Sequence, residues 1–269
     1  MTILEIASFE AYTDFVSELA NDPLYYDPHF AYNEENLYGA MRNKDEFAFA
    51  VLKDGTVEGL FVWLIIPDEH YVEMMIGLTR NEAAFSEMLS HMEKRCPGYK
   101  ADFVVNPKNM ALCRPLKARG AVFEAEQQMM LQTSVATNVA TNLIELYSEK
   151  WKEQYRALHR IDTYWTADRV LAAQDRFRVL LVIKDQQVQG YLDVTYCFDQ
   201  NEPYDLFVKP ELAHQGYELA LLAKAIELNK PREMMALLDV DASEEIEIFS
   251  AAGFEKVEGG NSMHAAYRF

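Results

Sequence analysis

Tyr204-Asp205-Leu206-Phe207-Val208-Lys209-Pro210, followed by Glu211-Leu212-Ala213-His214-Gln215-Gly216-Tyr217-Glu218, decides how the chain is read. The bulky residues from 204 to 208 alternate well enough for a β-strand. Lys209-Pro210 stops it, because proline has no amide donor and restricts the residue before it. Residues 213–217 read as a tight turn, and Leu219, Leu222, Ala223 and Ile226 then recur at helical spacing on one apolar face. A glycine-bearing turn that feeds a helix points unpaired backbone N–H groups at one spot, and that spot attracts phosphate.

Around this stretch the composition sets limits. A chain of 269 residues, half of them apolar, affords a packed core in one large or two ordinary domains. Its net charge of -18 argues against nucleic acid, whose phosphates need Lys and Arg. An acidic surface suits a cationic acceptor such as an amine, and it also serves solubility. Cys96, Cys113 and Cys197 lack metal or redox spacing, so a reduced, cytoplasmic setting is expected. No basic-then-apolar leader opens the sequence. The apolar run at 60–66 is far shorter than a membrane span, so no membrane partner is expected. A homodimer is left open.

From the N-terminus, a short strand at 3–6 precedes a helix carrying Phe9, Tyr12, Phe15, Val16 and Leu19, with Ser8 as its cap. A proline- and aromatic-rich loop follows at 21–32, and a second short helix is expected at 34–41. Strands at 47–52 and 57–66 flank Lys53-Asp54-Gly55-Thr56, a strong hairpin signal. The reading continues with a strand at 70–76, a helix at 81–95, a strand at 102–106, a helix at 109–119 and a strand pair at 122–132. Residues 133–142 read as a linker. The pattern then repeats. Ile3-Leu4-Glu5-Ile6 is echoed by Leu143-Ile144-Glu145-Leu146, and Val51-Leu52-Lys53-Asp54 with Val57 and Gly59 by Val182-Ile183-Lys184-Asp185 with Val188 and Gly190. Gly120 is likewise echoed by Gly253. Repeats this long indicate a duplicated domain, since solenoid units are much shorter.

The opening stretch resembles the acetyl-CoA-binding segment of the GNAT N-acetyltransferase family, V-x-P-x-x-R/Q-x-x-G-x-G/A followed by a helix. Val208, Pro210 and Gly216 match, as does His214-Gln215-Gly216-Tyr217 with Ala220-Leu221-Leu222 behind it. Ala213 stands where the family has Arg or Gln, and Glu218 where it has Gly or Ala. Through the repeat, the resemblance implies an α/β fold of two tandem GNAT-like domains, 1–133 and 141–269. Each would be a mixed, splayed central sheet with helices on both faces. It implies acetyl-CoA as cofactor, a small amine as acceptor, and chemistry in the second domain. The alternative is a catalytically inactive module used for ligand sensing or protein assembly. The strands that splay would be 204–208 and 234–239, with the pantetheine arm pairing to exposed main chain as an added strand.

The same resemblance assigns candidate residues. Asp205 would be the base, with Glu202 a weaker substitute; Phe207, Val208, His214, Gln215, Gly216 and Tyr217 would bind the cofactor. Glu218, in the first helical turn, already satisfies the dipole and would compete with a phosphate. The family's acid is the tyrosine of Y-x-x-x-G-F, here Phe249-Ser250-Ala251-Ala252-Gly253-Phe254, which keeps the packing and loses the proton. Tyr217 and Ser250 stand near enough in sequence to substitute. Ala242 replaces a family asparagine, leaving Asp241 or Ser243 to cap the following helix. In the first half Asn109 matches that asparagine, but Leu116 holds the tyrosine position and Ala121 follows Gly120. No phosphate loop fits between His70 and Asn81, so a structural role and one wall of the acceptor cleft are expected there. Acceptor choice would rest on Arg160-Ile161-Asp162-Thr163-Tyr164-Trp165 and Tyr25-Tyr26-Asp27-Pro28-His29-Phe30, where aromatics beside acids either hold an amine or pack the loop. The six histidines show no metal-ligand spacing, so no metal is expected.

Overall fold

The computed structural model describes residues 1–30, 44–137, 139–161 and 163–269. They form two compact units, Met1–Gln127 with Glu258–Phe269, and Gln128–Val257. The division expected from the repeat, 1–133 and 141–269, was linear; here Glu258–Phe269 belong with the first unit. The helix expected at 34–41 lies outside the described residues.

In the first unit β1 (Thr2–Ile6), β2 (Glu46–Lys53), β3 (Thr56–Ile66), β4 (Tyr71–Thr79) and β5 (Lys100–Val105) stand side by side in that order. All neighbours are antiparallel except β4 and β5, which run parallel from Tyr71 opposite Lys100 to Met74 opposite Phe103. The end of the last strand, Phe254–Arg268, pairs antiparallel with β5, Met263 opposite Val105. Among the described residues, the helices α1 (Thr13–Ala20), α2 (Glu82–Arg95) and α3 (Met110–Ala118) cover the sheet. Side chains alternate across a strand. Phe49 and Val51 of β2 pack with Phe85 and Met88 of α2 and Leu116 of α3, while Ala48 and Ala50 pack with Val16 and Leu19 of α1. Both faces are thereby buried.

Two expectations in this unit are corrected. Ser8 accepts the Glu10 N–H, at 3.4 Å, ahead of a short 3₁₀ turn, and α1 begins at Thr13 with no side-chain cap. Residues 122–132 form one strand, β6 (Val122–Gln132), because no turn residue interrupts it.

The second unit repeats the plan with β7 (Ile144–Leu146), α4 (Lys152–Leu158), α5 (Ala167–Ala172), β8 (Phe177–Lys184) and β9 (Gln187–Thr195). It continues through β10 (Gln200–Asn201), β11 (Pro203–Val208), α6 (Tyr217–Asn229), β12 (Glu233–Asp239), α7 (Ser243–Ala252) and the start of β13 (Phe254–Arg268). The hairpins correspond in detail. The register shifts between Val51 and Leu52 in β2–β3 and between Val182 and Ile183 in β8–β9. Their turns place Asp54 and Gly55 at φ 51° and 83°, and Asp185 and Gln186 at 53° and 59°; two left-handed residues make the turn that matches strand twist. Leu180, Val182 and Leu192 pack with α6 and α7, and Val179, Leu181 and Tyr191 with α4 and α5. Within 133–142, the N–H groups of Thr133 and Ser134 both donate to the Gly253 carbonyl, at 2.9 and 3.2 Å, so this stretch is pinned.

One change of partner positions the site. β10 pairs parallel with β12, Gln200 opposite Glu233 and Asn201 opposite Met234. From Pro203 onward the chain pairs instead with β9, antiparallel, as the edge of the sheet β11-β9-β8-β7. Buried Asn201 fixes the fork: its Nδ2 donates to the Phe198 carbonyl at 2.9 Å and to Asn229 Oδ1 at 2.8 Å, at the end of α6. Glu202 N–H donates to Thr195 Oγ1 at 2.7 Å on β9. An unpaired buried amide would be costly, so these bonds hold the two strands apart at one residue.

Candidate functional site

Beyond the fork a cleft of about 580 Å³ opens in the second unit. One wall is the edge strand, through Leu206, Phe207 and Val208; the other is the start of α7, through Asp241, Ala242, Ser243, Glu244, Glu245 and Ile248. Ala213, His214 and Glu218 close one end, and Arg160 also lines it. The splay expected between 204–208 and 234–239 is therefore present.

The turn before α6 has the geometry that its sequence requires. His214 and Gly216 adopt φ 61° and 88°, and glycine takes that conformation without strain. Gly216 occupies the cap position with no side-chain hydrogen bond, and a Cβ placed on it would meet nothing within 4 Å. The amides of the first turn of α6 thus keep free donors. An adjoining hollow of about 380 Å³ is lined by Gly216, His214 and Leu219 together with Glu218, Glu244 and Glu247.

Of the six expected cofactor residues, Phe207, Val208 and His214 line the cleft and Gly216 the hollow. Gln215 and Tyr217 line neither. The Gln215 amide turns back to the Glu211 carbonyl at 2.9 Å, and Tyr217 packs on the core with the Lys184 ammonium 5.9 Å above its ring. Phe249 is fully buried, edge-on to Phe254 at 5.2 Å. Neither Asp241 nor Ser243 caps α7: Ala242 holds the cap position, and the Ser243 N–H donates to the Asp241 carbonyl.

Asp205 is not on the cleft surface. It is 3% exposed and sits behind Arg160, whose guanidinium donates to its Oδ1, while Tyr191 Oη donates to its Oδ2 at 2.9 Å. The register of β11 on β9 shifts between Pro203 and Asp205, and Asp193 of β9 stands opposite Asp205. Asp193, fully buried, accepts Tyr155 Oη on both oxygens at 2.8 and 2.9 Å. His159 joins the two acids, with Nε2 2.9 Å from Asp193 and 3.8 Å from Asp205. Its ring stacks on Tyr191 at 4.8 Å.

Tyr155 and His159 lie four residues apart, on one face at the end of α4. Of this group only Asp205 and Arg160 stood out in the sequence, Arg160 as part of an acceptor loop, and His159 read as an ordinary packing residue. The available signal was Asp193 between Leu192 and Val194, because a carboxylate inside an apolar strand demands partners. The rest of the acceptor loop divides. Trp165 packs into the α4–α5 core, Tyr164 is exposed under the Arg169 guanidinium, and Asp162 is outside the described residues.

The protonation of His159 follows from its neighbours. Nδ1 faces the Arg160 carbonyl at 2.7 Å and Nε2 faces carboxylates, so both nitrogens meet groups that accept. Burial works against its charge, but these hydrogen bonds and the fields of Asp193 and Asp205 outweigh it and hold the imidazolium above the usual range. Burial pushes the Asp193 carboxyl up, opposed by the bonds from His159 and Tyr155. Two cations, His159 and Arg160, then face two carboxylates. Burial also raises Glu245 in the cleft and Glu202 beside the fork. His159, Asp193 and Asp205 each offer an atom within 4.8 Å of the others, close enough for a metal ion. Tyr155, Tyr191 and Arg160 already donate to those carboxylates, so the cluster is satisfied as a hydrogen-bonded network.

The first unit handles its own fork differently. Beyond Met74, β4 has left β5, and there Asp27 Oδ2 accepts the Gly77 N–H at 2.7 Å. The start of α2 is filled by its own cap, Asn81 Oδ1 accepting the amides of Ala83 and Ala84 at 3.0 and 3.3 Å. Asn109 caps α3 through the Ala111 N–H at 3.1 Å.

No protein-family model matches the chain, and no curated protein matches it. Solved structures do. The chain is similar to a GCN5-related N-acetyltransferase from Sphaerobacter thermophilus, with a TM-score of 0.65 at 13% identity over 99% of this chain and 95% of that one. A tandem GNAT protein from the clavulanic acid biosynthesis pathway gives 0.53 at 11% identity over 99% and 98%. A glucosamine N-acetyltransferase region within a fungal multi-domain β-N-acetylglucosaminidase gives 0.57 at 12% identity over 99% of this chain and 38% of that one. At these identities the likeness concerns the backbone, and with the forked sheet and the open helix start it leads to one statement: the chain has a GNAT-like fold, in tandem form.

Proposed function

We propose that the chain is an acetyl-CoA-dependent N-acetyltransferase acting on a small amine, with its chemistry in the second unit. The observation that carries this is the cleft beyond the change of partner from β10 to β11, with Arg160 lining it and Asp205 paired to Arg160 from behind. The residues present fit the cofactor at two places. The free edge of β11 offers main-chain groups to an extended arm, and the uncapped start of α6 offers amides with an open approach over Gly216 to a pyrophosphate.

When bound, acetyl-CoA supplies a thioester whose carbonyl carbon forms a C–N bond with the amine as its C–S bond breaks, the thiolate leaving with a proton. Phe207 and Ile248 supply apolar surface in the cleft and exclude water. Asp205 takes the proton that the acceptor ammonium must lose, directly or through one water, once Arg160 releases Oδ1. Tyr191 holds Oδ2 and fixes the carboxylate's direction. His159 sets a cation against Asp193, 2.9 Å away, and so offsets the second carboxylate beside Asp205. Phe249 donates no proton, so the leaving thiolate draws on solvent.

The test is calorimetric titration of acetyl-CoA followed by thiol release with a panel of amines. Saturable binding is expected, with thiol release that falls about 10²–10⁴-fold in Asp205→Asn while cofactor affinity holds. No heat at millimolar cofactor defeats the reading. A second reading, an inactive module for ligand sensing or assembly, is favoured by Glu218 and Glu244 at the phosphate end and by buried Phe249. Cofactor binding with no thiol release for any amine would select it.

A further inference from the structure

The pairing of Arg160 with Asp205 bears on which amine enters, and the argument rests on the acetyltransferase reading above. Asp205 Oδ1 is held by the Arg160 guanidinium, whose side chain is 54% exposed and lines the cleft. Its other oxygen is held by buried Tyr191. An incoming ammonium can reach the carboxylate only by taking the place of Arg160, so the guanidinium sits where the acceptor's cationic nitrogen must sit.

Charge balance then constrains the acceptor. Asp193 and Asp205 are matched by His159 and Arg160, and an ammonium that replaces Arg160 at Asp205 keeps that balance. The displaced guanidinium remains at the wall and needs an anion. A simple amine exchanges one ion pair for another and leaves it without one. A molecule with a carboxylate beside its amine replaces one internal pair with two, its ammonium on Asp205 and its carboxylate on the guanidinium, whose planar fork matches a carboxylate. Glu245, on the facing wall, is the in-chain competitor for the guanidinium. Asp241, Glu244 and Glu245 stand at the start of α7, where acids serve the helix dipole, so by themselves they do not mark a polyamine site.

We propose that the acceptor is an amino acid with a free carboxylate next to its amine, and that Arg160 selects it by moving from Asp205 to that carboxylate. The transfer balances as for any amine: the C–N bond forms, the C–S bond breaks, the ammonium gives up two protons, the first through Asp205 and both ending in solvent, and the thiolate takes one proton from solvent.

The experiment measures binding without cofactor, by calorimetry and ligand-observed NMR, for a set of α-amino acids, their carboxamides, the matching decarboxylated amines and a short diamine. Amino acids are expected to bind about tenfold or more tighter than their carboxamides. Arg160→Gln should remove that preference. Arg160→Lys, which keeps the charge and loses the fork, should reduce it, and this covers the case in which the neutral variant does not fold. Glu245→Gln should sharpen it. Equal binding of carboxamides, best binding of the diamine, no amino-acid binding, or a preference that survives both Arg160 variants each overturns the proposal. Thiol release with amines but no carboxylate preference would sink this inference and leave the acetyltransferase reading standing. Amino-acid binding without any cofactor binding would do the reverse.

Discussion

Asp193 and Asp205 stand directly opposite each other on β9 and β11, two carboxylates in one ladder with almost no exposure to water. Like charges placed so are destabilising, and the chain offsets them with four donors, Tyr155, His159, Arg160 and Tyr191. Three of the four are held inside the unit; Arg160 alone reaches the cleft. A buried polar network of this kind fixes one arrangement when every member is satisfied.

The first expectation concerns pH. The folded His159 has its pKa raised above the ordinary 6.5. Its imidazolium therefore contributes stability that is complete below 6.5 and is lost as pH rises through the folded value. Melting temperature should fall over that interval in the native protein, and the fall should be smaller in His159→Gln. Parallel melting curves for the two proteins would show that the imidazolium is not tied to the two acids.

Tyr155→Phe removes the donor shared by both Asp193 oxygens and leaves a fully buried carboxylate with His159 alone. Stripping one partner from a buried group costs about 1–3 kcal/mol. Urea unfolding should show a loss of that size. A loss below the error of the measurement would mean that water or rotation replaces the bond.

Gly190 lies opposite Val208, and a Cβ placed on it would come 2.7 Å from the Phe207 carbonyl oxygen and 3.0 Å from Val208 Cγ2. The neighbour in the way is backbone, so β11 must shift. Gly190→Ala should cost roughly 1–3 kcal/mol and, by moving the edge strand, should weaken cofactor binding as well. Stability lost with binding intact would separate the strand edge from the cofactor site.

Glu218 borders both the cleft and the hollow beside the open start of α6. A carboxylate a few ångströms from a phosphate is opposed by roughly 4 kcal/mol at 4 Å in a near-surface dielectric, less once salt screens it. Glu218→Gln should tighten acetyl-CoA about tenfold or more at low salt, with a smaller gain at high salt. Unchanged affinity would show that phosphate does not lie at this turn.

The forked architecture was legible where the sequence is locally decisive. Lys53-Asp54-Gly55-Thr56 declares its hairpin, and Val182-Ile183-Lys184-Asp185 repeats it with the same register shift. Lys209-Pro210 ends a strand and Gly216 begins a helix. Each signal acts through backbone sterics or strand periodicity, which need no distant partner. Asp205 was singled out differently, through the resemblance to the acetyl-CoA-binding segment, by its place three residues before Val208.

Its surroundings were not. Tyr155 and His159 come from α4, Tyr191 and Asp193 from β9, and Asp205 from β11, so they meet only when the sheet is paired and the helix packed on it. Asn201 gives no local sign that its amide will hold the fork against Asn229. Glu258–Phe269 read as the close of the second repeat, yet they lie in the first unit, because strand pairing is settled by the edge that β5 presents. The sequence by itself determined where strands and helices begin, end and recur. Tertiary structure alone decided which carboxylate is buried, what neutralises it, and that a guanidinium stands between it and the cleft, since these depend on long-range packing and on the cost of leaving a charge unpaired away from water.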